Sequence, residues 1–232
     1  STLANRNLAR FVLFKRPTLL RGSGTLAAGA KLDSLRIWAQ VEDLLAHKVH
    51  IDRASGWLSL HGRQFRADDA FVSVGDNEAR GSYAMDIDTR DYRFLLQGRL
   101  RPLDINGWFG PWWPDFWRHF DFESAPPRAD IDIQGRWGNA RLSRIYVAAE
   151  GTHAAIREVP FDQLRTRLFI RTHYIDALDF FATQGSGAAS GTFSRAYDLE
   201  NRAWRAIDFD VHSTLDLAEA ARLYGPEAIA LV

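Results

Sequence analysis

The chain contains no cysteine. That excludes a disulfide framework, a thiolate nucleophile and a cysteine metal site, and it suits cytoplasm and a periplasm-like space equally. Neither charge is in excess, with 29 Lys and Arg against 29 Asp and Glu. The basic surplus of a nucleic-acid-binding surface is therefore missing, and no nucleic-acid partner is expected. No apolar run approaches the roughly 18 residues that cross a bilayer, and no secretory leader is visible. The chain opens at Ser1 without a methionine and stops at Val232. It reads as a fragment of a longer protein, so a missing anchor means little. What is there is ordinary for a folded domain: 232 residues, 46% apolar and 25% charged, enough for one large domain or two small ones.

Motifs for chemistry are equally scarce. The seven histidines (His47, His50, His61, His119, His153, His173, His212) are scattered and lack metal-ligand spacing. The stretch "GSGAASGT" at 185–192 lacks the Lys-Ser/Thr ending of a phosphate loop, and no G-x-S-x-G supports a serine hydrolase. "DIDTRD", from Asp86 to Asp91, has oxygen ligands at alternate positions but not the glycine of a calcium loop. It reads as a hairpin turn. No pair of carboxylates stands out for glycoside hydrolysis. The reading is non-enzymatic, with no catalytic residue, metal or cofactor.

Most of the chain reads as strands. "GSYAMDI" places Gly81, Tyr83, Met85 and Ile87 on one side, and "DYRFLLQGRL" places Tyr92, Phe94, Leu96 and Leu100 on one face. "GWLSLHG", "ADIDIQG" and "RLFIRT" alternate likewise. Period-two alternation between turn residues predicts antiparallel strands. Helix signals are few. "STLDLAEAARLYGP" predicts a helix capped by Ser213 or Thr214 and stopped at Gly225-Pro226, and "VEDLLAHK" is a weaker candidate.

The informative feature is a repeat. Residues 30–83 laid on 140–193 match at twelve of fifty-four positions, among them Leu32/Leu142, Asp52/Asp162, Leu58/Leu168, Phe71/Phe181, Gly75/Gly185 and Gly81/Gly191. A two-residue insertion moves the offset to 112, and five of the next twenty positions match, including Asp86/Asp198 and Asp104/Asp216. Chance at ordinary composition gives roughly five over both windows. A duplicated unit of this length, with five or six strands, suits sheet modules joined edge to edge rather than a solenoid. The expected division is 1–113 and 114–232, with about twelve strands in all.

Between the copies lies "NGWFGPWWPDFWRHF", seven of whose fifteen residues are aromatic. It stands where "LDLAEAARLYGP" stands in the second copy, as a connector. Trp108, Trp112, Trp113 and Trp117 could pack over a sheet end, touch lipid or membrane at an interface, or stack on sugar rings. Packing is the favoured reading of the three.

The order of parts resembles the AsmA-like proteins of Gram-negative bacteria, including the TamB type, grouped with the bridge-like lipid transfer proteins that have a repeating β-groove. The residues that carry it are "EARGSYAMDIDTRDYRFLLQGRLRPLDINGWF" and "AASGTFSRAYDLENRAWRAIDFDVHSTLDLAEAARLY". The tryptophan-rich connector departs from the usual Leu/Ala-rich one. The resemblance implies an all-β fold, an extended, twisted antiparallel sheet open as a groove. Its partners would be phospholipid or another acyl-chain lipid, neighbouring repeats of the same chain, and envelope proteins. Its place would be the periplasm, with an anchor in the inner membrane and lipid moving toward the outer membrane. The expected groove residues are Leu58, Leu60, Phe65, Phe71, Tyr83, Ile87, Tyr92 and Phe94. In copy two they are Leu168, Ile170, Ile175, Phe181, Phe193, Leu199 and Trp204. Alternation alone leaves a closed sandwich core equally open; the resemblance favours the groove. Two alternatives stand beside it: a β-rich envelope scaffold acting through protein contacts, and a carbohydrate-binding module built on the tryptophans.

Overall fold

The computed structural model describes residues 12–14, 18–29, 31–46, 48–99, 101–108, 112–122, 126–198, 200–201 and 203–224. The fold is all-β. Copy one contributes β1 (Val12–Phe14), β2 (Leu19–Ala27), β3 (Lys31–Ala46), β4 (Val49–His61), β5 (Gln64–Val74), β6 (Asn77–Asp86) and β7 (Asp91–Arg99). A 3-10 segment (Pro102–Trp108) and helix α1 (Trp112–Trp117) follow. Copy two contributes β8 (Phe120–Asp121), β9 (Arg128–Arg136), β10 (Asn139–Ile156), β11 (Val159–Arg171), β12 (Tyr174–Gln184), β13 (Gly187–Asp198) and β14 (Ala203–Ser213), closing in helix α2 (Leu217–Tyr224). Among the described residues each copy has seven strands rather than five or six.

All fourteen strands belong to one open antiparallel sheet. The pairing repeats with the sequence. Leu35 lies opposite Leu60 in copy one, and Ile145 opposite Ile170, each 110 residues on, in copy two. In both copies two successive short strands share one edge of the long strand that follows: β1 and β2 on β3, β8 and β9 on β10. Between copies β7 pairs directly with β9, so the ladder runs on without a break.

Two local rules explain these elements. The tight hairpins put glycine where φ is positive, at Gly75 (φ 56°) and Gly185 (φ 54°), where a side chain is strained. The same aspartate serves each turn: the Gly75 N–H donates to Asp52 Oδ2 at 2.6 Å and the Gly185 N–H to Asp162 Oδ2 at 2.7 Å. Second, a bulge sits at the same place in β5 and β12. The register shifts between Ala67 and Ala70, and again between Ala177 and Phe180. Facing each bulge is a glycine, Gly81 or Gly191. A Cβ on Gly81 would lie 1.8 Å from the Leu95 carbonyl oxygen, so no side chain fits.

"VEDLLAHK" is strand, not helix: β3 runs through to Ala46. Val41 and Leu44 are both buried in one cluster, although straight alternation would put them on opposite faces. Asp43 between them takes φ 52°, which resets the alternation. Helix α2 forms, but Asp216 caps it, accepting from the N–H groups of Ala218 (2.9 Å) and Glu219 (3.2 Å). Thr214 is spent on the neighbouring strand, where its N–H donates to the Ala188 carbonyl. The predicted stop at Gly225-Pro226 lies outside the described residues.

The candidate site is an apolar sheet face

Following the pairing across the strands sorts the sheet into two faces. One row runs Ile37, Leu58, Ala67, Tyr83, Phe94, Ile133, Ile145, Ile170, Ile175. A second runs Leu96, Ile131, Val147, Leu168, Ala177, Phe193, Phe209. Both rows lie on the same face and cross from one copy to the other. The opposite face carries ion pairs: Arg93 with Asp132 (2.7 Å), Arg136 with Asp91 (2.7 Å) and Arg167 with Asp179 (2.5 Å). Each arginine holds its aspartate below the ordinary carboxylate range through direct hydrogen bonds.

Copy one presents its part of the apolar face half-exposed. Leu58, Leu60, Phe65, Tyr83, Tyr92 and Phe94 are all partly open. Their rings form a chain: Phe65 meets Tyr83 edge-on at 5.9 Å, Tyr83 lies 4.3 Å from Phe94, and Tyr92 lies 5.7 Å from Phe94. Trp137, in the β9–β10 turn, completes it. Its ring centre is 4.8 Å from Tyr92, its indole N–H donates to the Tyr83 hydroxyl at 2.8 Å, and it is 45% exposed. Trp137 was missed because nothing in a lone turn tryptophan says which strand it leans on. Burial pushes the Tyr83 phenol up, so it stays neutral. Ile87 sits just past β6 in the turn, half-exposed, its N–H bonded to the Arg63 carbonyl.

Copy two treats the same face differently. Leu168, Ile170 and Ile175 are 3%, 1% and 1% exposed. They are core. Their cluster includes Trp113 and Trp117 of the connector, Ile105 of the 3-10 segment, Tyr197, and Val41, Leu44, Val49 and Ile51 of copy one. Around Trp117 gather Trp113 (5.5 Å), Phe116 (5.0 Å) and Phe120 (5.0 Å). Trp113 donates its indole N–H to the Pro102 carbonyl at 2.7 Å. Trp113 and Trp117 are therefore packing residues, 6% and 9% exposed, not lipid, membrane or sugar contacts. The side chains of Trp108 and Trp112 lie outside the described residues, as do Leu199 and the side chain of Trp204. Phe193 stays half-buried on the apolar face.

Phe71 and Phe181 are on the wrong face for a groove. Beyond each bulge the alternation slips by one residue, which turns both rings to the charged side. There Arg53 and Arg80 stack on Phe71 at 5.8 and 5.2 Å, and Arg165 on Phe181 at 5.6 Å. A depression of about 850 Å³ opens instead on the charged face, where Leu95, Tyr146 and Leu178 are its exposed apolar side chains; of the expected groove residues Leu168 alone borders it.

The "DIDTRD" turn uses its oxygens internally. Asp86 Oδ1 accepts the N–H groups of Asp88 and Thr89, both at 2.9 Å, and its counterpart Asp198 accepts those of Glu200 and Asn201. No cluster of metal-ligating side chains occurs among the described residues, and no described helix is long and apolar enough to cross a membrane. The class that the geometry defines is an open, two-faced β-sheet of duplicated modules. No protein-family model, curated protein or solved structure matches the chain.

Proposed function

We propose that the chain binds lipid acyl chains on the half-exposed apolar face of copy one. The observation that supports this is the ring chain Phe65–Tyr83–Phe94–Tyr92–Trp137, partly open to solvent on one face while the other carries ion pairs. Four strands, β5 to β7 and β9, at about 4.8 Å spacing set the rings along roughly 15 Å. Each methylene laid on them and taken from water contributes about 0.8 kcal/mol. The ligand class is phospholipid, and the reading needs no reaction. A place in the Gram-negative envelope, in an AsmA-like periplasmic protein moving phospholipid between inner and outer membrane, belongs to the same proposal.

Native mass spectrometry of the purified protein after incubation with phosphatidylethanolamine vesicles tests it. Bound phospholipid at defined stoichiometry, lost in Tyr83→Asp and retained in Phe71→Asp, supports the reading. A clean apo mass in the wild type overturns it and favours the scaffold reading. That second reading has its own support in the exposed Leu19, Leu20 and Leu26 on edge strand β2.

A further inference from the structure

The sheet has two ends, and each leaves a strand edge unpaired among the described residues. At one end β2 pairs only with β3; at the other β14 pairs only with β13. These are long edges of nine and eleven residues, and neither contains proline. Such an edge is a template for another strand unless something blocks it.

The joint that would satisfy both edges is already built once within the chain. There β7, the last strand of copy one, pairs along its whole length with β9, the second strand of copy two. The equivalences are set by the neighbours. Phe94 and Phe209 lie opposite Tyr83 and Phe193, and Leu96 and Val211 lie opposite Gly81 and Gly191. Thus β14 is the counterpart of β7. Gly24 and Gly22 lie opposite Leu35 and Ile37, as Ile133 and Ile131 lie opposite Ile145 and Val147. Thus β2 is the counterpart of β9.

We propose that the protein associates head to tail with a second copy of itself, β14 of one molecule pairing antiparallel with β2 of the next. The internal joint also gives the register. It sets Phe94 against Ile133 and Leu96 against Ile131, so the new one sets Phe209 against Gly24 and Val211 against Gly22. The Phe209 ring, 54% exposed, then covers the bare backbone of Gly24. Neither glycine has room for a side chain: a Cβ would come within 2.5 Å of the Arg36 carbonyl oxygen at Gly22 and 2.8 Å of the Ser34 carbonyl oxygen at Gly24. On the charged face Asp210 lies opposite Ser23 and diagonal to Arg21, the diagonal that Arg93 and Asp132 use in the internal joint. The two surfaces differ, so the contact is heterologous and extends into open chains of molecules rather than a closed dimer. The proposal does not depend on the lipid reading.

The absence of cysteine makes the test clean. Two proteins are made, Ser23→Cys and Asp210→Cys, both on exposed strand positions. Mixed under mild oxidation, they should form the 23–210 disulfide between molecules, and each alone should form far less dimer. In parallel, sedimentation velocity of the wild type should show masses in multiples of 26.3 kDa that grow with concentration. Homodimers of either single variant without the mixed species, or a wild type that stays at 26.3 kDa at every concentration, would overturn the proposal.

Discussion

Asp52 and Asp162 show what sequence identity means in this chain: each carboxylate holds the N–H of a positive-φ glycine 23 positions on, Gly75 or Gly185. Asp86 and Asp198 behave likewise, each pinning the turn after a strand. The turn N–H groups, those of Thr89 and Asn201 first, hold both carboxylates below their ordinary range. A lowered pKa stabilises the fold above the unfolded value, near 4, and that contribution is lost as pH falls below it. The double variant Asp86→Asn/Asp198→Asn should therefore be less stable than wild type at pH 6, and the gap should narrow at pH 3. Urea midpoints at the two pH values check this. Gly81 is the sharpest residue-scale constraint. Gly81→Ala drives a Cβ into the Leu95 backbone and should cost about 1–3 kcal/mol or more, read as a drop in the urea midpoint.

At the scale of elements, the bulges decide which rings face which way. Tyr83 and Phe71 are both aromatic, both half-buried and twelve residues apart, yet they lie on opposite faces because β5 gains a residue at the bulge. Counting in twos along a sequence does not reveal that slip, because the bulge consists of ordinary residues, Asp68 and Asp69, with only the φ of 51° at Asp69 to mark it. The expected outcome is a split in lipid binding, Tyr83→Asp abolishing it and Phe71→Asp leaving it intact, with far-UV circular dichroism unchanged in both. The connector is the second element whose role was only partly legible. Its aromatic density was plain, and packing was the favoured reading, but not what it covers. Trp117→Ala should cost about 3–5 kcal/mol, the range for emptying a large aromatic site, seen as a lower thermal midpoint. An unchanged midpoint would mean that the rings are surface decoration.

Across the whole molecule, one sheet and one main hydrophobic cluster span both copies. Val41, Leu44 and Ile51 of copy one share a cluster with Ile170 and Ile175 of copy two. Ile170→Ala should therefore weaken amide-exchange protection in β4 as well as in β11. Loss confined to β10–β12 would show that the copies are energetically separate. Only half of the expected groove is open: Leu168, Ile170 and Ile175 of copy two are buried, while Tyr83, Tyr92 and Phe94 of copy one stay half-exposed. The 3-10 segment of the connector packs against β4 of copy one.

The strand content, the duplication, its offset and the turn residues were all readable in the amino-acid order. Each rests on local chemistry: alternation of side chains, glycine at positive φ, aspartate beside a free N–H. Seven strands per copy rather than five or six, the turned Phe71 and Phe181, the burial of Ile170 and Ile175, and the place of Trp137 came only with the tertiary structure. These depend on which strand lies beside which and on what packs over them. An alternating strand looks the same in sequence whether its apolar side meets solvent, lipid or a tryptophan from another segment of the chain.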